Sequence, residues 1–133
     1  MTTSLLRKGL KIRRRVMGKA YVAHAFSAAD LVTLEVQNLL TAFGYGAVWS
    51  RPGLPIETRS LLTIAVLAAL NHPAELRGHI QGAINLGIPD QTIVEAIIHL
   101  LPYAGAPAMQ SGLRAAKAAF ADRDARLASK KPK

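Results

Sequence analysis

The sequence predicts an all-α fold of about six helices joined by short loops. Three observations predict it. Apolar residues recur at three- and four-residue spacing over long segments, and no stretch alternates with the period of two that a half-buried strand requires. The apolar half of the chain is mostly Ala, Leu, Ile and Val, and only 5% is aromatic, a mix that suits closely packed helices. Helix punctuation is also present, most clearly at Pro73 and Gly87, which fit a first helical position and a left-handed C′ position.

From Leu5 to about Val22 the pattern is basic, with Leu10, Ile12, Val16 and Met17 as an apolar side. It reads as an amphipathic helix ending near Gly18. Residues Ser27–Asp30 offer caps for a second helix, Leu31 to Phe43, which Gly44 and Gly46 should break. The segment Tyr45–Pro55 reads as an irregular loop, too apolar to be merely solvated, that packs the lone Trp49 and Arg51 against the body. Glu57 to Leu70 is apolar nearly all round and should be central or lie at a subunit interface. Residues 71–88 form the next helix, with a stripe of Leu76, Ile80, Ala83, Ile84 and Gly87. Pro89 and Asp90 open another through Leu101, and Pro102 kinks or ends it. After Tyr103–Pro107 a last, alanine-rich helix runs from Ala108 to about Leu127.

At 133 residues the chain reads as one domain, with 1–6 and 128–133 as loose ends. It has no cysteine, so disulfide and thiolate chemistry are excluded. The longest nearly apolar run, Leu61–Leu70, is too short to cross a bilayer. No hydrophobic core follows the N-terminal cations, so no signal peptide is expected, and the expected location is cytoplasmic. The net charge is +9, concentrated in Arg7–Lys19 and Lys130–Lys133. Three readings compete for it: phosphate contacts with nucleic acid, attraction of a small anionic substrate, and a solvated surface. No helix-turn-helix, zinc or aromatic RNA-binding signature supports the first.

Chemistry is concentrated in 71–88. Glu75 and His79 are four residues apart, so they share one side of the helix, flanking its apolar stripe. A structural reading stands beside the catalytic one: if Asn71 or His72 caps the helix, Glu75 falls near N3, where an acid serves orphan amides and the helix dipole. His72, Glu75 and His79 have metal-like spacing, but His72 should precede the helix beside Pro73, so no metal is expected. Glu95 and His99 form a second carboxyl–imidazole pair at the same spacing.

Several pieces together resemble the carboxymuconolactone decarboxylase family. They are Gly9–Arg14, Gly46-Ala47-Val48-Trp49-Ser50-Arg51-Pro52-Gly53-Leu54, Thr58–Thr63, Glu75-Leu76-Arg77-Gly78-His79-Ile80 and Tyr103-Ala104-Gly105-Ala106-Pro107. The likeness covers about residues 8–121, and its most specific piece, Trp49–Leu54, is similar to the decarboxylases of the protocatechuate branch of aromatic degradation. The resemblance implies an AhpD-like helical bundle, a homohexamer and no cofactor. It implies conversion of 4-carboxymuconolactone to 3-oxoadipate enol-lactone and CO2. Peroxidase relatives use a Cys-x-x-Cys pair before the histidine matching His79. Here those positions are His72 and Glu75, so that activity is excluded. Their relay glutamate falls at Ser60, and the family's frequent Cys and Asn fall at Ala104 and Leu86.

The implied substrate is a lactone with two carboxylates, and it assigns roles. His79 is the general acid and Glu75 orients it and raises its pKa. Arg51 and Arg59 bind the retained carboxylate. Trp49 walls the pocket, and Tyr103 or His99 donates to the lactone oxygen. The expected partners are that small anionic lactone and further copies of the chain, with neither nucleic acid nor membrane. Two alternatives remain: an enzyme for another small acidic lactone or keto acid, and a noncatalytic basic helical oligomer that binds nucleic acid.

Overall fold

The computed structural model describes residues 3–130, and every described secondary-structure element is helical. The chain divides into two compact units, 1–59 and 60–133. The expected loose ends are shorter than the sequence implied. Residues 3–6 belong to the first helix and 128–129 to the last, while 1–2 and 131–133 lie outside the described residues.

The first unit opens with α1 (Thr3–Met17) and α2 (Lys19–Ser27), parted at Gly18, whose φ of 94° stops one helix and lets the next begin. The helix end expected near Gly18 is found there, and the basic pattern that runs on to about Val22 belongs to both helices. Asp30 caps the next segment: its Oδ1 accepts from the amides of Val32 and Thr33, at 2.9 Å each, and from the Thr33 hydroxyl. These bonds hold the Asp30 carboxyl below its ordinary value. Helix α3 (Thr33–Leu39) then widens without interruption into a π-helix, Leu40–Trp49. This corrects the expectation that Gly44 and Gly46 break the helix and that 45–49 is loop. Side chains help serve its loosened backbone: the Thr41 hydroxyl donates to the Gln37 carbonyl at 2.7 Å and Ser50 donates to that of Gly46.

Helix α1 packs along the π-helix at two glycines. A Cβ on Gly9 would collide with the Thr41 carbonyl, and one on Gly46 with that of Leu5, so the two backbones touch directly. Arg13, which the sequence groups with a solvated basic face, is instead buried. One of its terminal nitrogens donates to Gln37 Oε1 and to Thr41 Oγ1, both at 2.9 Å. Its guanidinium lies 5.8 Å from the Tyr45 ring centre and 6.0 Å from that of Phe26. Neutral acceptors and ring faces thus hold a charge that a carboxylate would ordinarily pair. Burial pushes the Tyr45 hydroxyl up to about 12, with Arg13 pulling the other way.

Helix α4 (Ile56–Ala69) carries the chain into the second unit, followed by α5 (Pro73–Asn85), α6 (Asp90–Ile98), α7 (Leu101–Ala104) and α8 (Ala106–Ser129). The core joins Ile64 and Ala68, Leu76, Ile80 and Ala83, Ile93 and Ile97, and Ala115, Ala116 and Ala119. Each large member contributes about 1.5–3 kcal/mol. Alanines let the 24-residue α8 approach α5 and α6, and Gly112 faces Ile97 with no room for a Cβ. Helix α5 has the boundaries its punctuation implied. Pro73 is its first residue, and Gly87 (φ 82°) ends it as the amides of Gly87 and Ile88 return to the carbonyls of Ile84 and Ala83. Helix α4 is only partly central: Ser60, Ile64 and Ala68 are buried, while Leu62, Val66 and Leu70 are exposed.

Arg123 braces α8 to the start of α6, donating to both oxygens of Asp90 at 2.6 and 2.9 Å. That contact holds the Asp90 carboxyl below its ordinary value. A lowered native pKa gives stability that is complete above the unfolded pKa and is lost as pH falls through the native one. The wild-type urea midpoint is therefore expected to drop between about pH 5 and about pH 3 more than that of D90N. Parallel declines would show that the brace adds nothing.

Candidate active site

The residues singled out from sequence fall into two groups. Trp49, Arg51 and Arg59 belong to the first unit, and Glu75, His79, His99 and Tyr103 to the second.

In the first unit, Trp49 ends the π-helix. It stacks on Tyr45 one turn earlier, ring centres 5.5 Å apart at 26°, so it is packed as expected, but within a helix. The tight 50–55 connection follows, with the Arg51 amide bonded to the Val48 carbonyl. The Arg59 side chain, on the first turns of α4, donates to the Arg51 carbonyl at 3.1 Å. The two arginines are therefore neighbours, with the Arg51 side chain exposed and Arg59 half-buried. Arg59 has taken a backbone acceptor, so Arg51 is the better placed of the two for an incoming anion.

In the second unit, His72 is the N-cap of α5 without a side-chain cap bond, and Pro73 follows it. Glu75 then occupies N3, the position named in the structural reading, on the exposed first turn. His79, one turn on, is half-buried beside the core residues Leu76 and Ile80 of the same helix. Carboxyl and imidazole share one side of α5, one wet and one partly desolvated. His99 caps the end of α6, and its ring lies 5.4 Å from that of Tyr103 on α7, both exposed. Among the described residues no three His, Asp or Glu side chains gather as a metal-ligand set.

Asn71, which the sequence offers only as a possible cap of α5, ends α4 instead. It adopts the left-handed conformation, φ 60°, with its amide bonded to the Ala68 carbonyl and that of His72 to Leu67. Arg114 and Ser111, which no sequence motif singles out, stand together on one cavity of the second unit. Their one signal is a shared helix face, Pro107, Ser111 and Arg114, in a segment that reads only as alanine-rich.

Among the described residues every element is helical, and a Glu-x-x-x-His helix and a Trp-Ser-Arg-Pro-Gly-Leu connection stand in that frame. The model of the carboxymuconolactone decarboxylase family matches residues 35–118. The chain is 40% identical over 116 residues to the 4-carboxymuconolactone decarboxylase of Acinetobacter baylyi, covering 87% of each. It is also 40% identical over 103 residues to the nitrosuccinic acid decarboxylase of Metarhizium robertsii, covering 77% of this chain and 72% of that one. This chain belongs to the carboxymuconolactone decarboxylase family.

Proposed function

We propose that this protein is a 4-carboxymuconolactone decarboxylase that releases CO2 and yields 3-oxoadipate enol-lactone without a cofactor. The observation that carries the reading is the 40% identity across 87% of both chains to the Acinetobacter enzyme. The leaving carboxylate sits on the ring carbon bonded to the ring oxygen. Breaking its C–C bond sends two electrons through the ring C=C toward the lactone carbonyl, and the dienolate takes one proton at its α carbon. His79 is the proton donor, because an imidazole can hold a transferable proton near neutrality. Glu75, four residues earlier, favours the protonated ring and orients it. Tyr103 or His99 donates to the lactone oxygen as charge develops there. Arg51, with Arg59 beside it, holds the carboxylate that stays, and Trp49 walls the pocket.

The protein acts as a cytoplasmic homohexamer in this reading. Exposed rows at helical spacing support assembly: Val32, Val36, Leu40 and Phe43 in the first unit, Leu62 and Val66 on α4 with Leu70 just past its end. The decisive experiment is a spectrophotometric decarboxylation assay on authentic 4-carboxymuconolactone, with nitrosuccinate in parallel. Turnover of the lactone at an ordinary enzymic rate is expected, and its absence would overturn the assignment. R51A is expected to raise KM about tenfold or more with a smaller change in kcat. An unchanged KM would remove Arg51 from the site.

A further inference from the structure

The second unit holds a cavity of about 400 Å3 lined by Asn71, Ala104, Pro107, Ala108, Ser111 and Arg114. Pro107, Ala108, Ser111 and Arg114 recur along one face of α8, so a single rigid helix carries most of the wall. The polar groups are a guanidinium, a hydroxyl and a carboxamide, and no carboxylate lines the space. Of the four arginines of this unit, three are engaged. Arg77 pairs with Asp122, Arg123 with Asp90 and Asp124, and Arg126 donates to Gln81. Arg114 is the one with no hydrogen bond or ion pair among the described residues, and it is the one at the cavity. Asn71 is fixed there by the two backbone bonds that close α4. The positive end of the long α8 lies at the same cavity.

We propose that this cavity is a carboxylate-binding subsite. The Arg114 fork takes both oxygens of the anion, Ser111 and Asn71 donate to them, and the Ala104–Pro107–Ala108 wall meets the carbon skeleton. The identity of the anion rests on the decarboxylase reading: it is the carboxylate the product keeps, since the leaving one must shed its charge and gains nothing from a cation.

The test uses the full chain and adipate, a stable C6 dicarboxylate, with adipamide as its neutral counterpart. Adipate is expected to shift the NMR amide signals of residues 71, 104 and 107–114 apart from Pro107, and adipamide to leave them in place. R114Q is expected to weaken adipate about tenfold or more and to raise KM for 4-carboxymuconolactone by a like factor, kcat changing less than about threefold. R114K, which keeps charge without the fork, should fall between. Adipate shifts elsewhere, or R114Q binding adipate as wild type does, overturns the subsite. Lactone turnover with an R114Q KM equal to wild type also overturns it while the decarboxylase reading stands. Arg114-dependent adipate binding without lactone turnover supports the subsite and sinks that reading.

Discussion

Replacing His79 by alanine is expected to lower kcat for 4-carboxymuconolactone by about 10²–10⁴-fold, the range for loss of a positioned proton donor. The barrier at risk is delivery of a proton to a carbon of the dienolate, for which the proposed mechanism has no other donor. His79 is half-buried on the side of α5 that also carries Glu75, so alanine there opens little space and the fold should survive. H79Q keeps the volume and some hydrogen bonding but has no transferable proton, so it should lose nearly as much. An acid catalyst is active only while protonated, and wild-type kcat/KM should therefore fall on the alkaline side. E75Q removes the carboxylate that the proposed mechanism uses to orient the ring, so its kcat should fall while KM changes less. Near-wild-type kcat in H79A would end the proton assignment, and near-wild-type kcat in E75Q would end the role of Glu75.

Substituting Gly9 by alanine is expected to cost about 3 kcal/mol or more of stability. The added carbon would lie in the Thr41 carbonyl, which is backbone and cannot turn aside, so α1 must withdraw from the π-helix. That withdrawal would also pull Arg13 from Gln37 and Thr41 and leave a buried charge unserved. G46A should behave alike, because its new atom meets the Leu5 carbonyl. At Gly44, in the same π-helix, an added Cβ would have nothing within 4 Å, so G44A is the control and should change stability by less than about 1 kcal/mol. Urea unfolding followed by the fluorescence of Trp49, which stacks in this unit, reads all three variants. Equal midpoints for G9A and G44A would refute the close approach.

Helix α5 is legible in the sequence because its punctuation is local: Pro73 starts it, Gly87 ends it, and the apolar stripe between them has one period. So is the break at Gly18, where a glycine takes the positive φ, but the π-helix is not. Gly44 and Gly46 read as helix breakers on propensity, yet Gly46 serves a tertiary contact with α1, and close packing outweighs a local cost of about 1 kcal/mol. Arg13 misleads for a related reason. Within a run of cations nothing in the sequence separates it from Arg14, and only the partners that α3 and the π-helix bring, Gln37 and Thr41, make its burial tolerable. Arg114 and Ser111 escape notice because an anion-binding set with no acid among it has no spacing signature. It emerges once every other arginine of its unit is seen to be occupied. The family motifs, by contrast, make Glu75, His79 and Arg51 candidates without any geometry.

The fastening at Arg13 contains nothing that changes protonation in mild acid. A guanidinium keeps its proton, and a carboxamide, an aliphatic hydroxyl and two aromatic rings have none to gain. The Asp90–Arg123 brace depends on a carboxylate that acid neutralises. Acidification thus unpicks a hold in the carboxyl-terminal half of the chain and none at this point of the amino-terminal half, where the buried cation acts as a rivet indifferent to its medium.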